Sequence, residues 1–204
     1  MPELPEVETT KRGIEPYLHN QSITKILVRQ KSLRIPFNDN LKKHITQVKI
    51  KNIKRRAKYI VIDFVNEYSM VIHLGMTGNL RASQQKKFLK HDHIIFYLES
   101  GNSLIFNDVR RFGLIQIYKT KDSFYLLDNN GPDPFEKKAD VDYFYNRIKN
   151  SSASIKSILL NHKIISGIGN IYASEILFST NISPLRMGSC LLYTSPSPRD
   201  CLLS

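Results

Sequence analysis

Cysteine is nearly absent from this sequence. Of its 204 residues only 2 are cysteine, Cys190 and Cys201, and both lie close to the C-terminal end. This scarcity excludes a disulfide-rich secreted domain and fits a protein of the reducing cytoplasm, where we expect the chain to act. It also excludes a Cys₄ zinc centre, and the stretch His91-Asp92-His93 alone has too few ligands for a metal site. We therefore expect neither a metal nor another cofactor in this chain.

Long apolar runs and acidic residues are also scarce. No stretch approaches the roughly 20 apolar residues of a membrane span, and no charged-then-apolar signal segment opens the chain. Lysine and arginine number 30 against 18 aspartate and glutamate residues, which gives a net charge of +12 and an isoelectric point of about 9.7. Such a balance favours a polyanionic partner, and nucleic acid before a membrane.

The first six residues, Met1-Pro2-Glu3-Leu4-Pro5-Glu6, contain a candidate catalytic group. Removal of the initiator methionine would leave Pro2 with a free secondary amine. An α-amino group has a pKa of about 7.7–8.0, so a useful fraction is an uncharged nucleophile near neutral pH. Attack on a carbonyl carbon would give a cationic iminium, and Glu3 is placed to move protons for it. The alternative is a disordered start before an acidic helical turn.

The N-terminal part, residues 1–127, is predicted to be a helix followed by a β-rich region. The helix covers Pro5–Arg12, with a break or kink at Gly13. Short strand patterns separated by turn residues then predict an antiparallel sandwich or flattened barrel. The predicted strands are Ile23–Arg29, Ile45–Ile53, Tyr59–Val65, Tyr68–Leu74, His93–Glu99, Ser103–Phe106 and Leu114–Tyr118.

A turn-rich linker at residues 128–135 separates this region from a helical one at residues 136–188. The fold class is therefore α+β with two domains. Residues 189–204 are rich in serine and proline and show no periodic pattern that would demand packing. The predicted helices are Val141–Lys149, Ile155–Asn161 and Asn170–Ser179.

Three stretches could contact nucleic acid, and each has a purely structural alternative. Five cations between Lys51 and Lys58 could bind phosphate or form a solvated face. The loop Gly75-Met76-Thr77-Gly78 could expose Met76 as an apolar wedge or bury it in the core. The turn Gly167-Ile168-Gly169-Asn170 precedes a helix, whose first N–H groups suit a phosphate, although glycine turns before helices are common.

Together these motifs resemble those of the bacterial formamidopyrimidine-DNA glycosylases, which repair oxidised purines. The opening Met1–Glu6 is followed by four internal stretches in the order of the family. The resemblance runs from residue 1 to about Arg186. The four stretches are Lys54-Arg55-Arg56-Ala57-Lys58-Tyr59, His73-Leu74-Gly75-Met76-Thr77-Gly78, Asn107-Asp108-Val109-Arg110-Arg111-Phe112-Gly113 and Gly167-Ile168-Gly169-Asn170-Ile171-Tyr172-Ala173-Ser174-Glu175.

The resemblance implies a bifunctional DNA glycosylase and abasic-site lyase that acts on damaged double-stranded DNA. Its fold would be a β-sandwich with an N-terminal helix, followed by a helix–two-turn–helix domain, with DNA in the cleft between them. The catalytic residues would be three: Pro2 as the nucleophile, Glu3 for proton transfer, and Lys58 as a lysine at the rim of the catalytic site. The DNA-contacting residues implied by the resemblance are His73, Met76, His91, Arg110, Phe112, Lys156 and Asn170.

Within that set, three residues would act where the damaged base leaves the helix. Met76 and Phe112 would fill the gap left in the base stack, and Arg110 would hydrogen-bond the base opposite the lesion. Asn170 would contact phosphate around the lesion, and Lys156 would lie at the DNA face.

The sequence departs from the family in several places. The family continues past Arg186 with more helix and a Cys₄ zinc finger, so we expect a truncated chain with a foreign tail from Ser189. Ser151 and Ser152 stand where many relatives are basic, and some phosphate contacts are expected to be missing. A monomer without membrane association is expected. Two alternatives stay open: an inactive DNA-binding remnant, and an endonuclease VIII-type glycosylase for oxidised pyrimidines, although Leu4 favours the purine type.

Overall fold

The computed structural model describes residues 1–84, 87–122 and 124–193. These residues form two compact units, of which the first is Met1–Asp128 and the second begins at Asn129. Most of the predicted foreign tail, from residue 194 onward, lies outside the described residues. Among the residues that the structure describes, no helix has the length and apolar character needed to cross a membrane.

The first unit is a two-layered antiparallel β-sandwich with a helix, α1 (Leu4–Leu18), packed against it. One sheet has the strand order β1-β6-β7-β5 and the other β2-β3-β4-β8. A 3₁₀ helix, Asp39–His44, lies between β1 and β2. The strands of the described part are β1 Ile23–Val28, β2 Ile50–Arg56, β3 Tyr59–Phe64, β4 Tyr68–His73, β5 Gly78–Ser83, β6 Asp92–Leu98, β7 Ser103–Asp108 and β8 Leu114–Lys119.

A single hydrophobic core lies between the sheets. Alternate residues of each strand point to the same face, so Ile60, Ile62 and Phe64 of β3 meet Phe96 and Phe106 of the opposite sheet. Helix α1 adds one face of its own to this core. Burial of that face anchors the N-terminal end of the chain to the sandwich.

Helix α1 is longer than its sequence pattern predicts. The prediction ended the helix at Arg12 because Gly13 costs about 1 kcal/mol relative to alanine inside a helix. The structure continues the helix to Leu18, because Ile14 and Leu18 are buried in the core on the far side of the glycine. Packing of these two side chains outweighs the local preference against glycine.

Two strands also differ from their predictions. The strand predicted at Ile45–Ile53 is wrong in its first half: a turn with Gln47 at a φ of +62° interrupts it, and β2 begins only at Ile50. Strand β5 was not predicted, because Gly78–Ser83 has no clear apolar alternation. Its pairing with β7, from Gly78 opposite Asp108 to Ser83 opposite Ser103, defines it instead.

A short helix, α2 (Tyr125–Asp128), ends the first unit, and the second unit is helical. Side chains at the N-caps start two of its helices: Asp140 accepts the Tyr143 N–H at 2.8 Å, and Ser154 accepts the Ser157 N–H at 3.3 Å. A small core joins them, built around Ile148, Ile158 and Leu177. The elements are α3 Val141–Ile148, α4 Ile155–Leu160, α5 Asn170–Ser179 and a 3₁₀ helix Gly188–Tyr193.

The second unit does not stop at Gly188, where the sequence pattern placed its end. Leu191 packs against the helical core, and the Ser189 N–H donates to the Ser151 carbonyl at 3.0 Å. In the described residues, packing against the helical core therefore continues beyond the domain boundary expected at Gly188. A single apolar side chain on a 3₁₀ turn gives no periodic signal, which is why the sequence did not reveal it.

Candidate functional site

Helix α1 fixes the first residues of the chain. Glu3 is its N-cap: the Glu3 N–H donates to Glu6 Oε2 at 2.9 Å, and the Glu3 side chain accepts the Glu6 N–H. This reciprocal capping box satisfies two donors at the open end of the helix. Glu3 is only 2% exposed, and Pro2 beside it is half-buried. The candidate nucleophile therefore lies one residue before the N-cap of α1.

Lys58 lies in the two-residue turn between β2 and β3. Ala57, the first turn residue, adopts the left-handed conformation with a φ of +53°. Burial lowers the pKa of the Lys58 amine, whereas the carboxylates of Glu3 and Glu6 raise it. The influence of these two carboxylates means that the amine lies near the first turn of α1. Pro2, Glu3 and Lys58, which the sequence predicted as catalytic, thus share one end of the sandwich.

An ion pair that the sequence did not predict connects this turn to α1. Arg55 Nε lies 3.1 Å from Glu8 Oε2, and Arg55 Nη1 donates to the Ala57 carbonyl at 2.9 Å. Partial burial raises the pKa of the Glu8 carboxyl, but hydrogen bonds from Arg12 and Arg55 bring it below its usual value overall. In the sequence Arg55 belongs to a run of cations, and nothing local distinguishes it from a phosphate-binding residue.

His73 ends β4 and lies opposite Tyr59 in the sheet, with 4.8 Å between the ring centroids. Its Nδ1 accepts the Gly75 N–H at 3.0 Å. Burial, together with the positive charges of Arg34 and Lys58, lowers the pKa of His73 to about 4. The ring is therefore neutral at neutral pH and carries its proton on Nε2. It can donate a hydrogen bond to a phosphate oxygen but supplies no positive charge.

Two loops bring three of the predicted DNA-contacting residues together. Met76 is 42% exposed and Phe112 is 44% exposed, so neither side chain is buried in the core. The Arg110 guanidinium lies 4.6 Å from the centroid of the Phe112 ring. The loops touch through their backbones: a Cβ on Gly75 would lie 2.5 Å from the Gly113 nitrogen. This edge therefore presents two apolar side chains and one cation side by side.

His91 lies at the base of the second of these loops. Its carbonyl accepts the Asp108 N–H at 3.1 Å, and its ring centroid is 6.2 Å from that of His93. Its neighbours are structural, since buried Asp92 binds Arg81 and the His93 Nε2 lies 2.7 Å from the Asp108 carbonyl oxygen. Within the described residues, no group of three or more His, Cys, Asp or Glu side chains could hold a metal ion.

The remaining two predicted residues meet in the helical unit. Asn170 is the first residue of α5 and is exposed. Lys156, on α4, donates from Nζ to Ser174 Oγ at 3.1 Å, and Ser174 Oγ in turn donates to the Asn170 carbonyl at 2.9 Å. Ser174 therefore links the lysine to the start of α5. It was not singled out from the sequence, although its spacing of four residues from Asn170 is the usual one for such a bond in a helix.

Two family models match the chain. The formamidopyrimidine-DNA glycosylase N-terminal domain matches residues 1–115, and the H2TH domain of the same family matches residues 130–195. The chain belongs to the formamidopyrimidine-DNA glycosylase family. The family assignment made from sequence motifs is thereby confirmed, and the matched range extends past Arg186, where the motif resemblance ended.

Sequence identity to individual formamidopyrimidine-DNA glycosylases supports this assignment. The enzyme of Wolbachia pipientis subsp. Culex pipiens is 41% identical over 194 residues, which are 95% of this chain and 72% of that protein. The Pasteurella multocida enzyme is 41% identical over 192 residues, 94% of this chain and 70% of that protein. Both relatives therefore align with nearly the whole of this chain.

Solved structures agree as well. A complex of Lactococcus lactis Fpg with DNA containing an oxidised pyrimidine superposes with a TM-score of 0.86 at 31% identity, covering 94% of this chain and 73% of that one. A second complex of the same enzyme, with DNA containing an abasic site, gives a TM-score of 0.84 at 31% identity, covering 92% of this chain and 70% of that one. The fold of the family, a β-sandwich with an N-terminal helix followed by an H2TH region, is thus confirmed.

Proposed function

We propose that this chain is a base-excision repair enzyme that removes oxidised purines from double-stranded DNA and then cleaves the abasic site. The observation that carries the proposal is the arrangement at the start of α1. Pro2 precedes the capped helix, and Glu3 is buried beside Pro2. The carboxylates of Glu3 and Glu6 both act on the pKa of the Lys58 amine. Family membership supplies the reaction class, and this arrangement supports the assignment of the groups that perform it.

In the first step the Pro2 nitrogen attacks C1′ of the damaged nucleotide. The N–C1′ bond forms as the glycosidic bond breaks, and the base leaves with the bonding electrons and takes up a proton. The new ammonium loses its proton to the Glu3 carboxylate, and Glu3 then gives that proton to the sugar-ring oxygen as the ring opens and the iminium forms.

The iminium then allows the strand to be cut. Its positive charge withdraws electrons and acidifies the C2′ proton. Loss of that proton expels the 3′ phosphate by β-elimination, and a second, δ-elimination expels the 5′ phosphate. Hydrolysis of the remaining iminium by water releases the sugar fragment and regenerates the Pro2 amine. Lys58 stabilises the negative charge of a neighbouring phosphate during these steps.

The other predicted residues hold the DNA in the form that the chemistry requires. Met76 and Phe112 occupy the gap that the extruded base leaves, and Arg110 hydrogen-bonds the base opposite. His73 donates a hydrogen bond from Nε2 to the DNA backbone. His91 makes a further DNA contact from the base of the loop that carries Phe112. Two polar contacts to phosphate come from the helical unit and are made by Lys156 and Asn170.

We divide these roles between two domains. Residues 1–127 carry the chemistry and the base-displacing loops, residues 136–188 bind phosphate, and residues 128–135 link them. The enzyme works in the bacterial cytoplasm, where its DNA substrate lies. The resemblance implies a structural zinc for the family, but the described residues do not offer the three or four ligands of such a site. No step above passes through a metal.

Covalent trapping with borohydride tests the proposal. The chain is mixed with an oligonucleotide duplex carrying 8-oxoguanine or an abasic site, and borohydride reduces any iminium to a stable adduct. A variant that retains Met1 ahead of Pro2 is expected to give no adduct, because its amine is blocked. Pro16→Ala, which alters an exposed proline at the far end of α1, is the matched control and should trap normally.

Other outcomes would redirect the assignment. Normal trapping by the blocked variant would identify a lysine, foremost Lys58, as the nucleophile. Binding without an adduct in every variant would identify an inactive DNA-binding remnant. A duplex with an oxidised pyrimidine belongs in the same experiment, because faster release of that base would favour an endonuclease VIII-type preference over the purine preference.

A further inference from the structure

The two loops that carry the exposed Met76 and Phe112 share one buried carboxylate. We call residues 74–78 the first loop and residues 108–113 the second loop. Asp108, the last residue of β7, is fully buried. Its Oδ1 accepts the Thr77 hydroxyl of the first loop at 2.6 Å, and its Oδ2 accepts the Gly113 N–H of the second loop at 2.8 Å. Both oxygens of the carboxylate are therefore used to hold loop geometry.

The Thr77 hydroxyl extends this connection. It donates to Asp108 and accepts the Arg110 N–H at 3.1 Å, so one oxygen bridges the buried carboxylate and the middle of the second loop. The strand pairing beneath it places Gly78 opposite Asp108. The backbones of Gly75 and Gly113 also approach each other closely. The two loops are therefore connected by strand pairing, by this backbone contact and by the Thr77 hydroxyl.

We propose that Asp108 and Thr77 are positioning residues that hold the two loops as one wedge, so that Met76, Arg110 and Phe112 enter the DNA together. The inference rests on the proposed function, because a wedge has no role without an extruded base. All three side chains are exposed, so the protein core does not hold them in place. Insertion into a base stack requires all three in register at once, and prior alignment removes the conformational entropy that would otherwise oppose insertion.

Substitutions at Thr77 can test the positioning role separately from a role in folding stability. Replacement of Asp108 would leave buried donors without partners and would weaken folding as well as positioning. Thr77 is exposed, and Thr77→Val keeps its shape while removing both hydrogen bonds. Thr77→Ser keeps the hydroxyl and serves as the conservative variant. Thr46→Val is the matched control, because it removes a hydroxyl that donates to the Lys42 carbonyl at 2.9 Å, in the 3₁₀ helix and outside both loops.

The experiment compares two substrates under single-turnover conditions. The first is an 8-oxoguanine duplex with either cytosine or adenine opposite the lesion. The second is a single-stranded oligonucleotide with a preformed abasic site, which has no base to extrude and no stack to fill. Thr77→Val is expected to slow base release from the duplex at least about tenfold, since one typical hydrogen bond alone has that effect. The rates with cytosine and with adenine opposite the lesion should also become more similar. Borohydride trapping on the single strand should be unchanged.

The control variants should leave both readouts at the level of the unsubstituted chain. Wild-type rates and base preference in Thr77→Val would overturn the inference. An equal loss on the duplex and on the single strand would also overturn it, because it would reveal a general disturbance rather than a wedge. Failure of the unsubstituted chain to form any adduct would be a different result. It would overturn the proposed function itself and the inference with it.

Discussion

Acidification is expected to destabilise the folded protein through His73. The folded-state pKa of about 4 lies below the usual value of 6.5, so as pH falls the unfolded chain takes up a proton before the folded chain does. Stability is therefore unaffected above the usual pKa, falls as pH drops below it, and reaches its full loss below the folded pKa. Between about pH 7.5 and pH 5 this linkage amounts to a loss of about 2 kcal/mol in the free energy of unfolding.

Urea unfolding at the two pH values measures this loss. In His73→Gln the side chain does not titrate, while its Oε1 can still accept the Gly75 N–H. Carboxylates contribute equally to the pH dependence of His73→Gln and of the unsubstituted chain. The difference between their losses of unfolding free energy therefore gives the contribution of the His73 imidazole. His73→Gln should lose about 2 kcal/mol less than the unsubstituted chain on acidification. His19→Gln, which changes an exposed histidine, should not. Equal losses in all three proteins would refute the conclusion that His73 is buried in its neutral form.

Two further predictions concern the loops. Phe112→Ala should lower the free energy of unfolding by about 1 kcal/mol or less, whereas Phe106→Ala should lower it by about 3–5 kcal/mol, because only Phe106 is in the core; similar losses in urea unfolding would contradict the wedge assignment. Gly75→Ala should cost about 1–3 kcal/mol more than Gly101→Ala, because both glycines have a positive φ but only the Cβ at residue 75 would meet the Gly113 backbone. Equal costs would mean that the two loops are less closely packed than described.

Local patterns and motifs predicted much of the fold. The strands near Tyr59, Tyr68, Ser103 and Leu114 were predicted because apolar residues and turn signals mark them directly. Strand β5 was not, because its existence depends on β7, a partner distant in sequence. Helix α1 was predicted too short for a related reason, since the packing that carries it past Gly13 comes from the sheets.

In the candidate site, likewise, the sequence indicates which residues take part but not their surroundings. Pro2, Glu3 and Lys58 could be selected from the sequence because the family motifs mark them. The environment of each could not: the burial of Glu3 and the lowered pKa of His73 follow from neighbours that the fold supplies. Asp108 is the clearest example of a contact that the sequence could not predict. It lies inside a recognised motif, but its bond to Thr77 spans two loops and has no local signature.

The capping box at the start of α1 links the chemistry to the local folding equilibrium of one helical turn. First turns of helices open far more often than whole domains unfold. Each opening would break the Glu3–Glu6 bonds. On the proposal that Pro2 is the nucleophile, opening would also displace its amine, and only molecules with that turn closed would react. On warming, the rate of adduct formation should therefore fall below its extrapolated value before the sandwich melts. Hydrogen exchange at the Glu3 amide would report the same opening.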